Sequence, residues 1–309
     1  MITYESGIEQ YILNRLSKQK DAIETKKKDF LILLPSLCNE DKKRHLATTL
    51  TKKVFVLYEE IWKNDPTLQS SIASLRYILE ALIQTELLYK ESDYFEKIYH
   101  SVLKHKINKT QTYLEKVKSD CLILEAYEKK EDIIKEKYKK GMDEHQINDL
   151  MQQEDQIYDD LDYELTISLD ASEFNSLGVQ KMMLEQNVIP SLEKGIEEMK
   201  KELDDLSKAL AIDLEFNRKF QIRGQSTRVP KVLKDSRSWS KKASDAGLEN
   251  EYQFVYGYTS SLLHCTSFSI LTNLEIEKSE FVTIRSLANK YMARIFDRLY
   301  EFCNMPKNM

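Results

Sequence analysis

Residues 66–90 read PTLQSSIASLRYILEALIQTELLYK. Ile72, Leu75, Leu79, Leu82, Ile83 and Leu87 recur at spacings of three and four, the period of one helix face. Asp65-Pro66 offers an N-cap followed by proline at the first helical position, so the segment predicts a helix running to about Lys90. The same period extends outward. Ile8, Tyr11, Ile12, Leu16 and Ile23 predict a helix over 5–28, and an apolar run at 30–37, FLILLPSL, is broken by Pro35. A second helix is predicted over 40–62, with Leu46, Leu50, Phe55 and Leu57 inward, and a last amphipathic helix from about Lys278 to Cys303. Seven glycines and five prolines in 309 residues are too few for the many turns of an all-β fold. The fold class is all-α: a helical-bundle core.

Residues 94–210 are richer in Glu and Lys. Ile189, Leu192, Ile196, Met199, Leu203, Leu206 and Leu210 alternate at spacings of three and four, the pattern of a coiled-coil seam. The helix carrying Leu114, Val117, Cys121 and Leu124 is the expected partner, with breaks near Gly141 and over 166–178. The reading is a long antiparallel, coiled-coil-like hairpin (93–210) inserted between a first half of the core (1–92) and a second half (211–309). Within that second half, 223–230 reads as a loop, Val232–Ala243 as a short helix and Gly247 as a C-cap.

Residues 252–274, YQFVYGYTSSLLHCTSFSILTNL, carry no formal charge in a chain that is 31% Asp, Glu, Lys and Arg. Such a stretch is either a buried central helix or a helix lining a site. Its Ser, Thr, Gln and Asn content is too polar for a membrane span. The N-terminus lacks the apolar core of a signal peptide, so no membrane association and a cytoplasmic location are expected. Four scattered cysteines with no CxxC pair fit a reducing compartment. A net charge of -5 implies no global attraction to nucleic acid. Phosphate-loop, dinucleotide and zinc motifs are absent, so neither a cofactor nor a metal is expected.

Three constellations stand out. Tyr252, Tyr256, Ser260 and His264 are spaced by four and form one slanting row on a helix. The row is either a hydrogen-bonded seam between helices or a site. Arg76 and Glu80, also four apart, lie at the edge of the apolar stripe. The third is basic: Arg223, Arg228, Lys231 and Arg237 belong to a stretch from Arg218 to Lys242 with one acidic residue, Asp235, and with Trp239 and Phe220 among the cations. Cations interleaved with aromatics suit a phosphate backbone and stacked bases. A solvated face balancing the acidic hairpin is the other reading.

Trp239, Gly247 and the Tyr252/Tyr256/Ser260/His264 helix together resemble the C-terminal motif of an uncharacterised family of prokaryotic helical proteins. Arg76 and Glu80 resemble that family's other motif, Arg-x3-Glu. The family is distantly similar to HEPN domains, among which are RNA-cleaving toxins and defence proteins. The chain departs from the HEPN pattern in having no Arg four to six residues before His264. The resemblance implies an RNA-directed effector of a prokaryotic defence or toxin system and a metal-independent ribonuclease. His264 would act as acid or base, Arg76 would stabilise phosphorane charge, and Glu80 would orient them. Tyr256 and Ser260 would position the phosphate, while Tyr252, Trp239 and the cations would bind RNA. The alternative is a non-enzymatic interaction or scaffold protein, in which the hairpin reaches a protein partner or makes a homodimer.

Overall fold

The computed structural model describes residues 2–38, 41–63, 66–165, 177–263 and 278–304. Every regular element among them is helical, so the fold is all-α. The helices are α1 (Ile2–Leu37), α2 (Asp41–Ile61), α3 (Leu68–Lys90), α4 (Tyr94–Lys135), α5 (Glu144–Glu164) and α6 (Leu177–Met183). They continue as α7 (Ile189–Ile212), α8 (Leu214–Phe220), α9 (Val229–Leu233), α10 (Trp239–Ala246), α11 (Glu249–Leu263) and α12 (Lys278–Asn304). None is long and apolar enough to cross a membrane. The chain divides into two compact units, residues 1–96 with 235–309, and residues 97–234.

In the first unit α3 packs against α2, α10, α11 and α12. All six residues of its predicted stripe are buried. Its N-cap is Thr67, whose side chain accepts from the Ser70 amide; the helix therefore begins two residues beyond the cap expected at Asp65, which lies outside the described residues. Helix α1 runs nine residues past its predicted end. Pro35 falls within its last turn, and burial of Leu34 and Cys38 on either side outweighs the proline's cost there. Leu16, Ile23, Phe30 and Leu34 form its buried edge, while Tyr11 is exposed. On α2 the buried face is Ala47, Thr51, Val54, Phe55, Tyr58 and Ile61, with Leu46, Leu50 and Leu57 only half-buried. Of the four residues expected inward, Phe55 is buried, and Ala47, Thr51, Val54, Tyr58 and Ile61 complete the face in place of the three leucines.

Two buried polar groups lock the packing. Tyr58 Oη donates to Asn289 Oδ1 at 2.6 Å, and Asn289 Nδ2 donates to the Leu16 carbonyl at 3.1 Å, joining α2, α12 and α1. Glu86 of α3 is fully buried and accepts from Arg294 and, at 3.0 Å, from Arg298. Cys38 and Cys303 are buried free thiols, and burial with the neighbouring Cys38 pushes Cys303 up to about 12.

In the second unit α4 has two antiparallel partners. Along its C-terminal half lies α5: Tyr158 donates to Glu131 (2.7 Å), Tyr138 to Glu154 (3.2 Å) and Tyr127 to Glu164 (2.8 Å). The turn between them uses Gly141 at φ +96° and an Asp143–Gln146 capping box. Further toward its N-terminus α4 meets α7 through Lys118–Glu193 (2.7 Å) and a Tyr99–Glu202 hydrogen bond. Ile189, Leu192, Ile196, Met199 and Leu203 of the seam pack against Ile107 and Leu114. The partner positions Val117, Cys121 and Leu124 lie in a core shared with α5 and α6. Leu206 and Leu210 turn instead to a small core of Ala211, Phe216, Ile222, Val229 and Leu233. The unit thus holds a third long helix where the sequence predicted a two-helix hairpin. A π-turn (Leu184–Val188) precedes α7, with the Ile189 amide donating to the Leu184 carbonyl. Pro190 has no N–H to give the ladder, so its loosening falls where the sequence is least able to sustain regular bonding.

Leu79→Ala is expected to destabilise the protein by about 2–5 kcal/mol, whereas Leu122→Ala, at a position 69% exposed, should change stability by no more than about 0.5 kcal/mol. Chemical denaturation of the two variants beside wild type checks the pair.

Candidate functional site

Helix α3 is buried over most of its surface, leaving a narrow strip of Ala73, Arg76, Tyr77, Glu80 and Gln84 that is not. Arg76 Nε donates to Glu80 Oε1 at 3.1 Å, and the two side chains are about a quarter exposed. Arginine N-terminal to glutamate is the weaker order along a helix, and a partly exposed pair contributes only about 0.5 kcal/mol. The pair adds little to helix stability; its effect is to fix the guanidinium plane.

That guanidinium lies over the Tyr256 ring, 4.7 Å from the centroid. Tyr256 in turn stacks on Tyr252, centroids 5.3 Å apart and planes inclined by 25°. Glu80, Arg76, Tyr256 and Tyr252 therefore form one continuous row drawn from α3 and α11. Burial raises the Tyr252 phenol above its ordinary range; Tyr256 and Glu80 add to this and Arg76 opposes it. Tyr256 stays 38% exposed. Arg76 is oriented through Nε, and its Nη groups make no hydrogen bond among the described residues.

The position of α11 follows from a turn. Gly247 sits at φ +76°, its amide donates to the last carbonyls of α10, and the Leu248 amide donates to the Ala243 carbonyl at 2.8 Å. This is the predicted C-cap, a Schellman-type closure with the buried Leu248 as its apolar contact. Lys90 Nζ donates to the Ala246 carbonyl at 2.8 Å and secures the same corner to α3. Trp239 opens α10 half-buried, with Lys242 5.2 Å from its ring centroid.

The described part of the uncharged stretch, on α11, is not a buried central helix. Gln253, Phe254, Tyr256 and Gly257 of α11 are exposed, and Val255 and Thr259 are its buried positions. Ser260 is half-buried one turn beyond Tyr256. His264 lies outside the described residues, so proton transfer has no geometry to argue from. Sequence reasoning passed over a second aromatic pair, Phe254 and Tyr258, with centroids 6.3 Å apart and parallel planes. Its spacing of four repeats that of Tyr252 and Tyr256 and was the available signal.

The basic stretch divides in two. All five N–H donors of Arg237 are used: Nε on Asp235 (2.9 Å), Nη1 on Glu91 (2.6 Å) and Asp245 (3.0 Å), Nη2 on Glu91 and Asp235 (both 3.2 Å). Lys241 and Lys242 pair with Asp245 (2.7 Å) and Asp235 (3.2 Å). This end of the stretch is a neutralised clamp on the first unit. Arg223, Arg228 and Lys231 belong to the second unit and are exposed, with no ion pair among the described residues. Among the described residues no group of three or more His, Cys, Asp or Glu could hold a metal ion. Comparison with protein-family models, with characterised proteins and with solved structures finds no match.

The clamp carries a pH dependence. Burial works against the charged form of Asp235, but hydrogen bonds from Arg237 and Lys242 outweigh it and hold the carboxyl low. Lys241 and then Arg237 do the same for Asp245. Both folded values lie below the unfolded carboxylate value of about 3.9. Their contribution is therefore complete above that pH and is lost as pH falls through the depressed folded values. The melting temperature of wild type should drop across this acid range. Arg237→Ala should be destabilised by roughly 1–3 kcal/mol at neutral pH and lose less on acidification; thermal melts of both proteins from neutral to strongly acidic pH measure the difference.

Proposed function

We propose that the Arg76–Tyr256 face is the recognition site of an RNA-directed protein. The observation that supports it is the convergence of two motifs from distant parts of the sequence: Arg76, held by Glu80, lies against a Tyr256 ring 180 positions away that remains more than a third exposed. A guanidinium oriented through Nε, with no Nη partner among the described residues, suits a phosphate, and an exposed ring takes an unpaired base by stacking. A seam built only to pack two helices has no need of an open ring. Single-stranded RNA meets both requirements, because its bases are free to leave their stack.

Cleavage is the further step of this proposal, within the setting that the family resemblance implies, a prokaryotic defence or toxin system. The 2′-oxygen would attack the adjacent phosphorus, giving up its proton to His264 acting as base. The P–O5′ bond would break, leaving a 2′,3′-cyclic phosphate and a 5′-hydroxyl that takes up a proton. Arg76 would carry the charge developing on the non-bridging oxygens, and Ser260 would position the phosphate. No metal enters this scheme.

Fluorescence anisotropy with single-stranded RNA, and gel analysis of the same RNA with and without EDTA, tests both parts. Wild type should bind; Tyr256→Ala should weaken binding by roughly 5- to 100-fold, the loss of one stacked base, while Tyr256→Phe retains it. Arg76→Ala should weaken binding and lower its salt dependence. EDTA-insensitive cleavage lost in His264→Ala establishes the ribonuclease; binding without cleavage leaves an RNA-binding protein. Folded wild type that binds no RNA removes the proposal.

A further inference from the structure

The second unit is electrically polarised along α4. Helix α5 carries eight Asp and Glu and no Lys or Arg. Lysines in the adjoining turn offset this only in part, since 125–165 hold fourteen acidic residues against six basic ones. The other end is basic. Residues 97–114 contain four lysines and no acid, and 212–234 contain six Lys and Arg against two acids. The register of the helices keeps these groups apart: α5 lies beside Tyr127 and Glu131 of α4 and Tyr138 of the turn that follows, whereas α7 passes Tyr99 before reaching Ile212. The ends are separated by roughly thirty residues of α4, on the order of 50 Å at 1.5 Å per residue. That distance is several Debye lengths, about 8 Å each at physiological ionic strength, so neither end neutralises the other within one chain.

Both ends also expose aliphatic side chains. Ile147 and Met151, one turn apart on α5, are 38% and 52% exposed, and Ile133 of α4 is 58% exposed. At the basic end Ile212 and Leu214, which flank the α8 N-cap Asp213, are 80% and 82% exposed. Lys104, Lys106, Lys109, Arg218, Arg228 and Lys231 are exposed on the segments that form this end.

We propose that the second unit pairs antiparallel with the second unit of another copy of the chain, each acidic α5 end meeting the partner's basic α8–α9 end. A twofold arrangement makes this contact twice, because residue i on one copy meets j on the other and j meets i. It covers the exposed aliphatics at both ends and cancels both fields, which a parallel pairing would double. This surface belongs to the second unit and the Arg76–Tyr256 face to the first, and either proposal stands without the other.

The test is the mass of the full chain in solution by sedimentation equilibrium. At low salt a dimer is expected, dissociating as salt rises from about 0.05 to about 0.5 M, where the screening length falls several-fold. Reversal of the basic end (Arg218→Glu, Arg228→Glu, Lys231→Glu) and reversal of the acidic end (Asp149→Lys, Asp155→Lys, Asp159→Lys) should each give a folded monomer. An equimolar mixture of the two variants should restore the dimer, since both of its contacts again join opposite charges. A zero-length carbodiimide crosslink between Lys231 of one copy and Asp155 of the other fixes the antiparallel orientation. Wild type that is monomeric at low salt, a mixture that stays monomeric, or assemblies larger than a dimer would overturn the proposal. If a monomeric wild type binds RNA or anionic vesicles and the basic-end variant does not, the patch belongs to a polyanion instead.

Discussion

Helix α3 buries fourteen of its 23 residues, and this constraint organises the first unit. A helix apolar on nearly every side must be enclosed, and α2, α10, α11 and α12 enclose it. Among the buried residues of α3 the enclosure includes one charged group, Glu86. The two arginines of α12 answer that charge. A carboxylate so placed contributes less to net stability than to register, because removing either kind of partner leaves an uncompensated buried charge. The position of α12 along α3 is therefore set by Glu86 as well as by packing. What remains of α3's surface is the strip holding Arg76 and Glu80, and it is there, against α11, that the candidate site forms.

The α3 helix was legible because its stripe repeats without interruption and side-chain period is a local property. Gly247 was legible for a similar reason: a left-handed C-cap is a demand of the backbone that few residues meet. The reading of 252–274 left two alternatives, a buried central helix or a helix lining a site, because absence of charge does not separate them: Tyr, Gln and Gly sit on an exposed helix face without carrying a charge, and Phe254 and Tyr256 do so here. The spacing of four that marked Tyr252 and Tyr256 did identify residues that stack, and the Arg76–Glu80 pair did meet them. That meeting joins α3 to α11 across most of the chain, which no local pattern reports. His264, the expected acid or base, and Asp65, the expected cap, lie outside the described residues.

Charge was the least legible property, and the reason is geometric. The run from Arg218 to Lys242 has a single acid in sequence, but Glu91 reaches Arg237 from 146 positions away, and Asp245 from just beyond the run. Cations that look free in a string of letters are consumed when the fold brings carboxylates to them. Arg223, Arg228 and Lys231 show the opposite outcome, with no ion pair among the described residues. A net charge of -5 averages over both cases and over the acidic α5 as well.

The same reasoning explains why an extended helical unit tolerates such separation. Opposite charges that face each other on neighbouring helices relax into pairs, as Lys118 of α4 and Glu193 of α7 do. Along α4 the opposed groups are held apart by a rigid element, since helix length is fixed at 1.5 Å per residue and salt screens the interval. Neither field can be relieved by rearranging side chains within the unit. Relief has to come from outside it, and the two surfaces that need relief are complementary to each other in charge and alike in exposing aliphatic side chains. A second copy, turned end for end, is the partner that this chain itself supplies.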